Sequence, residues 1–193
     1  AGLYYNGSDF AYVPGAGLAV RAPIYGVDAD FATTATALTA ARSMEITGAG
    51  FTNGAVTIDS LRINGATALN MTGLLTIRTA GTTNASGGII QTGGSGSISG
   101  TGVSTGGSGA LVINVDGGAN TLQLDAPITS TTTGGFTKVG AGTLRLGAAN
   151  AQTGTISINE GTVRLTTGGR LGAASAALAI RQDGILELNG ITP

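Results

Sequence analysis

The sequence predicts an all-β fold: a coil of short parallel strands, a β-solenoid, that advances about 21 residues per turn. Three observations predict it. Short runs alternate apolar and polar residues with period two, and none shows the 3.6-residue period of a helix over ten residues or more. Glycine accounts for 35 of 193 residues and punctuates these runs. Finally, two apolar columns advance in phase. Leu122, Leu144, Val163 and Ile185 are spaced by 22, 19 and 22 residues, and Ile113, Phe136, Ile156 and Leu178 by 23, 20 and 22. A meander has no reason to keep two columns in phase, whereas a coil adding one turn per repeat does. Its successive strands would stack roughly 4.8 Å apart.

The elements follow in order. Residues 1–43 form a distinct N-terminal segment, whose composition changes near residue 32. Six of the eight aromatic residues precede that point: Tyr4, Tyr5, Phe10, Tyr12, Tyr25 and Phe31. Two readings stay open, a cap over the first turn of the coil or a docking surface, since tyrosine is favoured at interfaces. Within 33–42, Ala, Leu and Arg favour a short helix, while four threonines oppose one. Residues 44–193 are read as the solenoid. Its strand-like runs include Met44-Glu45-Ile46, Leu61-Arg62-Ile63, Leu75-Thr76-Ile77, Leu122-Gln123-Leu124, Leu144-Arg145-Leu146, Val163-Arg164-Leu165 and Leu186-Glu187-Leu188. One face of each run fills the interior, so Arg145, Arg164 and Glu187 are expected to point outward. The Gly- and Ser-rich stretch 79–109 carries Ile89, Ile90, Ile98 and Val103 at strand spacing. It reads as thin turns of the same coil rather than as a flexible linker.

Composition narrows the function. Charged residues are 10% of the chain and the net charge is −1, which excludes the basic footprint of a nucleic-acid binder. With no Cys and no His, disulfides, thiolate metal sites and the usual nucleophile–base pairs are excluded. Lys138 is the only lysine and is expected to face outward into solvent. The acids are dispersed; Glu160 and Asp183 stand about one turn apart and read as solvated surface charges rather than the paired carboxylates of a glycosidase. Gly93-Gly94-Ser95-Gly96-Ser97 and Gly106-Gly107-Ser108-Gly109-Ala110 open like the calcium-binding nonapeptide repeat, but Ile98 and Leu111 stand where it needs Asp. Asp28-Ala29-Asp30 reads as a solvated loop pair. Neither 48–54 nor 140–147 has the spacing of a phosphate loop. No catalytic residue, cofactor or metal ligand is assigned.

The stretch GGFTKVGAGTLRLGAANAQTGTISINEGTVRL, residues 134–165, resembles the passenger-associated transport repeat, the β-strand repeat of autotransporters. Gly134, Gly135, Thr137, Lys138, Gly140, Gly142, Thr143, Leu144, Leu146, Asn150, Thr153, Gly154, Asn159, Gly161 and Thr162 fall on its pattern. Phe136, Gln152, Thr155 and Val163 depart from it, and Gln152, standing for a tyrosine, is expected to loosen one corner. The weaker likeness spans most of 44–192. The resemblance implies a right-handed parallel β-helix, exported through an outer-membrane barrel to the outer surface or exterior of a Gram-negative bacterium. The motif is structural, so no functional residues carry over.

The sequence therefore points to a non-enzymatic extracellular element, a stiff stalk or an adhesive module for a host or neighbouring-cell surface or glycan. The alternative is a fibre or sheath subunit joined head to tail to copies of itself through the solenoid ends. A polysaccharide-active enzyme is the remote alternative. Candidate interface residues are Tyr4, Tyr5, Phe10, Tyr12, Tyr25 and Phe31 at one end and Ile185, Leu186 and Leu188 at the other. The sequence opens without Met or a signal-peptide pattern, so a processed product or a portion of a longer protein is expected.

Overall fold

The computed structural model describes residues 4–78, 87–106, 109–130 and 134–189. The remainder of the 79–109 stretch and the tail 190–193 lie outside the described residues. No helix occurs among the described residues, including 33–42. There, Thr34 Oγ1 accepts from the amides of Thr36 and Ala37, a local side-chain turn that competes with helix.

A hairpin of β1 (Tyr4–Tyr5) and β2 (Asp9–Phe10) opens the chain, and β3 (Phe31–Thr34) pairs parallel with the first winding. Seven windings follow among the described residues. The first holds β4 (Ser43–Ile46), β5 (Gly50–Asn53) and β6 (Val56–Ile58). The second holds β7 (Ser60–Asn64), β8 (Ala68–Met71) and β9 (Leu75–Ile77). The third is β10 (Gly88–Thr92), β11 (Ser95–Gly100) and β12 (Val103–Thr105), so that part of the Gly-rich stretch is solenoid. The fourth is β13 (Leu111–Val115), β14 (Thr121–Leu124) and β15 (Ile128–Ser130). The fifth has β16 (Phe136–Val139) and β17 (Thr143–Leu146). In the last two, single long strands, β18 (Ile156–Leu165) and β19 (Leu178–Leu188), run round a corner and serve two faces. All pairings between windings are parallel. The result is a parallel β-helix with three strand-bearing faces.

Register places like on like. On the first face Met44, Leu61, Ile89, Ile113, Lys138, Ile158 and Ile180 form one file. On the second, Leu69, Ile98, Leu124, Leu146, Leu165 and Leu188 form another. The third stacks Val56, Leu75, Val103 and Ile128. These files make one continuous core. Each fully buried Leu or Ile contributes roughly 1.5–3 kcal/mol.

The two columns read from sequence are each corrected at one member. Leu122, Leu144 and Val163 stack as expected, but Leu186, not Ile185, lies beneath Val163. A register shift after Ile158 puts an extra residue into β19 at the corner. Similarly Leu111, not Ile113, pairs with Phe136. Both point inward from one strand, so alternation could not choose between them. The winding length also varies more than a 21-residue period allows: Met44 to Leu61 is 17 residues and Leu61 to Ile89 is 28, whereas Phe136 to Ile156 is 20. Arg145, Arg164 and Glu187 share an outward file, with Arg164 paired to Glu187.

Candidate interaction surfaces

Three places carry unusual side-chain chemistry. The first is a corner inside the coil. Lys138, expected in solvent, is fully buried. In β16, Phe136 points inward, Thr137 outward, and Lys138 therefore inward again, stacked between Ile113 and Ile158. Its Nζ donates to the carbonyls of Val139 (2.8 Å), Gly140 (2.6 Å) and Glu160 (3.2 Å). A glycine-rich corner leaves carbonyls that no ladder satisfies, and a long donor from the interior reaches them. Burial pulls the lysine pKa down to about 8, while the Glu160 charge opposes that shift. Gln91 does the same work two windings earlier, its Nε2 donating to Gly65, Thr92 and Gly94 carbonyls. Asn150 ties three windings together: its Oδ1 accepts from Ile128 N, and its Nδ2 donates to Arg170 O, both at 2.6 Å. Gln152, expected to loosen its corner, is buried there and donates to Leu171 O, while its Oε1 has no partner.

The second place is the N-terminal segment, which lies against the flank of the coil. Glu45, Arg62, Ile90 and Asn114 form an outward file on the first face, yet Glu45, Ile90 and Asn114 are buried. Phe10 and Phe31 cover Ile90, with Tyr12 and Tyr25 packed against them. Both tyrosine rings meet Phe31 edge-on, at 5.2 and 5.5 Å. Arg62 Nη1 holds Glu45 at 2.6 Å and approaches Asp9 at 3.8 Å, and its guanidinium lies over the Tyr25 ring. Tyr25 Oη donates to Asp9 Oδ1, and Asn114 Nδ2 donates to Gly7 O. Burial raises the Asp9 pKa against the pull of Arg62, and burial followed by the Asp9 charge raises that of Tyr25. Asp28 is held by Arg21 at 2.6 and 2.8 Å and by Ile24 N, and these bonds lower its pKa. The side chains of Tyr4 and Tyr5 lie outside the described ones. Phe10, Tyr12, Tyr25 and Phe31 are thus engaged within the chain, while Val13, Leu18, Val20, Ile24 and Val27 are exposed. The adjacent isoleucines 89 and 90 were the signal for this docking: neighbouring apolar residues on one strand need cover on both faces.

The third place is the pair of coil ends, which differ. At the N-terminal end, Leu38 joins the core. The Leu38 amide donates to Asn53 Oδ1 and the Ala41 amide to Thr57 O, so 35–42 closes this end. At the other end β19 pairs with β18 alone. Its file residues Leu178, Ile180 and Leu188 are 45%, 49% and 66% exposed, as is the outward Ile185 at 52%. Leu186 is only partly covered. Glu160 and Asp183 stand in register at the corner, and Glu160 Oε2 accepts from Gly140 N. Among the described residues no group of three or more acidic residues is arranged to hold a metal ion.

Stacked windings with a filled interior and polar side chains tying the corners define a β-helical repeat protein. Residues 136–165 match the passenger-associated-transport-repeat family, and the windings formed by β16, β17 and β18 are that repeat. The chain is in this sense autotransporter-passenger-like. No curated protein and no solved structure matches it.

Proposed function

We propose that the chain is a non-enzymatic β-helical structural element of a secreted or outer-surface Gram-negative protein, acting as a stiff stalk or adhesive module. It would reach that site through an outer-membrane barrel. The observation that carries the reading is the transport repeat set in an unbroken inner file, Ile113, Lys138, Ile158. The buried Lys138, Asn150 and Gln152 of that repeat are spent on backbone groups, which is the chemistry of a support rather than of a reaction centre. Exposed Val13, Leu18, Val20, Ile24 and Val27 on the docked segment supply a contact surface for a cell surface or glycan. Binding of the 193-residue chain to glycan arrays and to host and bacterial cells tests adhesion. Absence of binding to all of them removes the adhesive half of the proposal and leaves the stalk.

A head-to-tail fibre is the second reading; it needs an open strand edge at both ends of the coil, and Leu38 occupies the interior at the first winding. Negative-stain electron microscopy separates the two, since a fibre subunit gives filaments and a stalk element gives discrete particles. A reducing-sugar assay on polysaccharides tests the remaining enzymatic reading.

A further inference from the structure

We propose that the N-terminal segment is an acid-tightened strap: it grips the flank of the coil more firmly when Asp9 carries a proton, and loosens as that proton is lost. The geometry is a shortage of positive charge beneath a cover. Where the segment crosses the first face, two carboxylates share one guanidinium. The side chains of Asp9, Glu45 and Arg62 are only 14%, 11% and 21% exposed, so water screens them weakly. Arg62 Nη1 is committed to Glu45 Oε1 at 2.6 Å, and Asn64 Nδ2 donates to the same oxygen. Arg62 Nε is buried without a partner. Asp9 Oδ2 is left 3.8 Å from Arg62 Nη1, beyond hydrogen-bonding distance. Its other oxygen, Oδ1, accepts from the Phe10 amide and from Tyr25 Oη. Docking therefore buries an ionised Asp9 beside Glu45 with too little to offset the lost hydration, and a proton on Oδ2 removes that cost.

The groups that face Asp9 are Arg62 from β7, Glu45 from β4, and Tyr25 and the Phe10 amide from the segment itself. The segment's remaining charges stand apart: Arg21 and Asp28 pair with each other, and Asp30 is exposed. Burial raises the Asp9 carboxyl above its ordinary 3.8, outweighing the opposite pull of Arg62. The docked segment thus holds the proton more tightly than the undocked one. The added grip is complete below pH 3.8 and fades as pH rises through the raised value. Exposed Val13, Leu18, Val20, Ile24 and Val27 ride on the strap, so acidity sets how firmly that surface is held to the coil. The inference rests on the docking geometry and not on what that surface binds.

Hydrogen exchange of the 193-residue chain tests this, each rate being divided by the intrinsic rate at the same pH so that it reads opening of the segment. Protection over 9–31 should rise about twofold or more from pH 8 to pH 4.5, with β13 and β14 as the internal reference. Asp9→Asn cannot ionise; it should abolish the rise and keep the firmer protection at both pH values. Glu45→Gln leaves Arg62 to Asp9 and should likewise flatten the rise. Equal protection of the parent chain at the two pH values, or a fall on acidification, overturns the proposal. So does a rise that survives either substitution, or loss of protection in Asp9→Asn.

Discussion

Replacing Gly161 by alanine tests how closely one winding lies on the next. Gly161 sits at the corner within β18 with φ +68°. An added Cβ there would lie 2.5 Å from Gly142 O, 2.9 Å from Ala141 C, and closer still to Gly140 O, all in the winding above. Ordinary contact begins near 3.4 Å, so the two windings would have to part by about 1 Å, enough to lengthen ladder bonds past the hydrogen-bonding range. Overpacking of this kind costs about 1–3 kcal/mol, and the left-handed backbone adds about 1–2 kcal/mol for alanine. Gly65 is the control. It lies at the same corner with φ +88°, but an added Cβ meets nothing within 4 Å. Gly65→Ala therefore carries only the backbone contribution, and the lost freedom of the unfolded chain is common to both variants. Gly161→Ala should be the less stable by about 2 kcal/mol. In urea unfolding followed by circular dichroism that separates the midpoints by about 1 M, for a slope of about 2 kcal/mol/M. Equal midpoints for the two variants would refute the close stacking.

Three further outcomes are expected. With the folded Lys138 pKa near 8 against an ordinary 10.5, the unfolded chain holds the proton between those values and the folded chain does not. Stability should therefore climb by up to about 3 kcal/mol as pH rises through that window, and urea midpoints of Lys138→Met should lack that rise. Arg62→Ala removes the contact to Glu45 and the cover over Tyr25; hydrogen exchange and proteolysis over 4–30 should quicken about tenfold or more while β7 to β19 stay protected. Asn150→Leu leaves Ile128 N buried without a partner and removes the bond to Arg170 O. It should cost about 1–3 kcal/mol in thermal unfolding, with no loss if water replaces the amide.

Much of the coil was legible because its physics is local. Alternation in Leu122-Gln123-Leu124 and Leu144-Arg145-Leu146 assigns inside and outside without any long-range knowledge, and a shared period then stacks them. What was lost has physical reasons. Lys138 was misplaced because residue type was allowed to outweigh strand parity: the run Phe136-Thr137-Lys138 already put the ammonium inside, and the glycines after it supplied the acceptors. The one-residue offset at Leu186 came from a corner bulge, which period counting does not see. The docking of Phe10, Phe31 and Tyr25 on Ile90 joins residues up to 80 positions apart. Only the doublet Ile89-Ile90 hinted at it. The place of Leu38 in the core was beyond reach, since it lies in a threonine-rich stretch with no strand period.

Nitroxide labels on introduced cysteines test the winding directly, because the chain has none of its own. Gln123, Arg145, Arg164 and Glu187 share one outward file, so consecutive labels differ by one winding. Paramagnetic resonance should show backbone separations growing in steps of about 4.8 Å, from the pair at 145 and 164 to the pair at 123 and 187. If the pair at 123 and 187 proves as close as the pair at 145 and 164, or if separations scatter without order, the stacked coil is wrong.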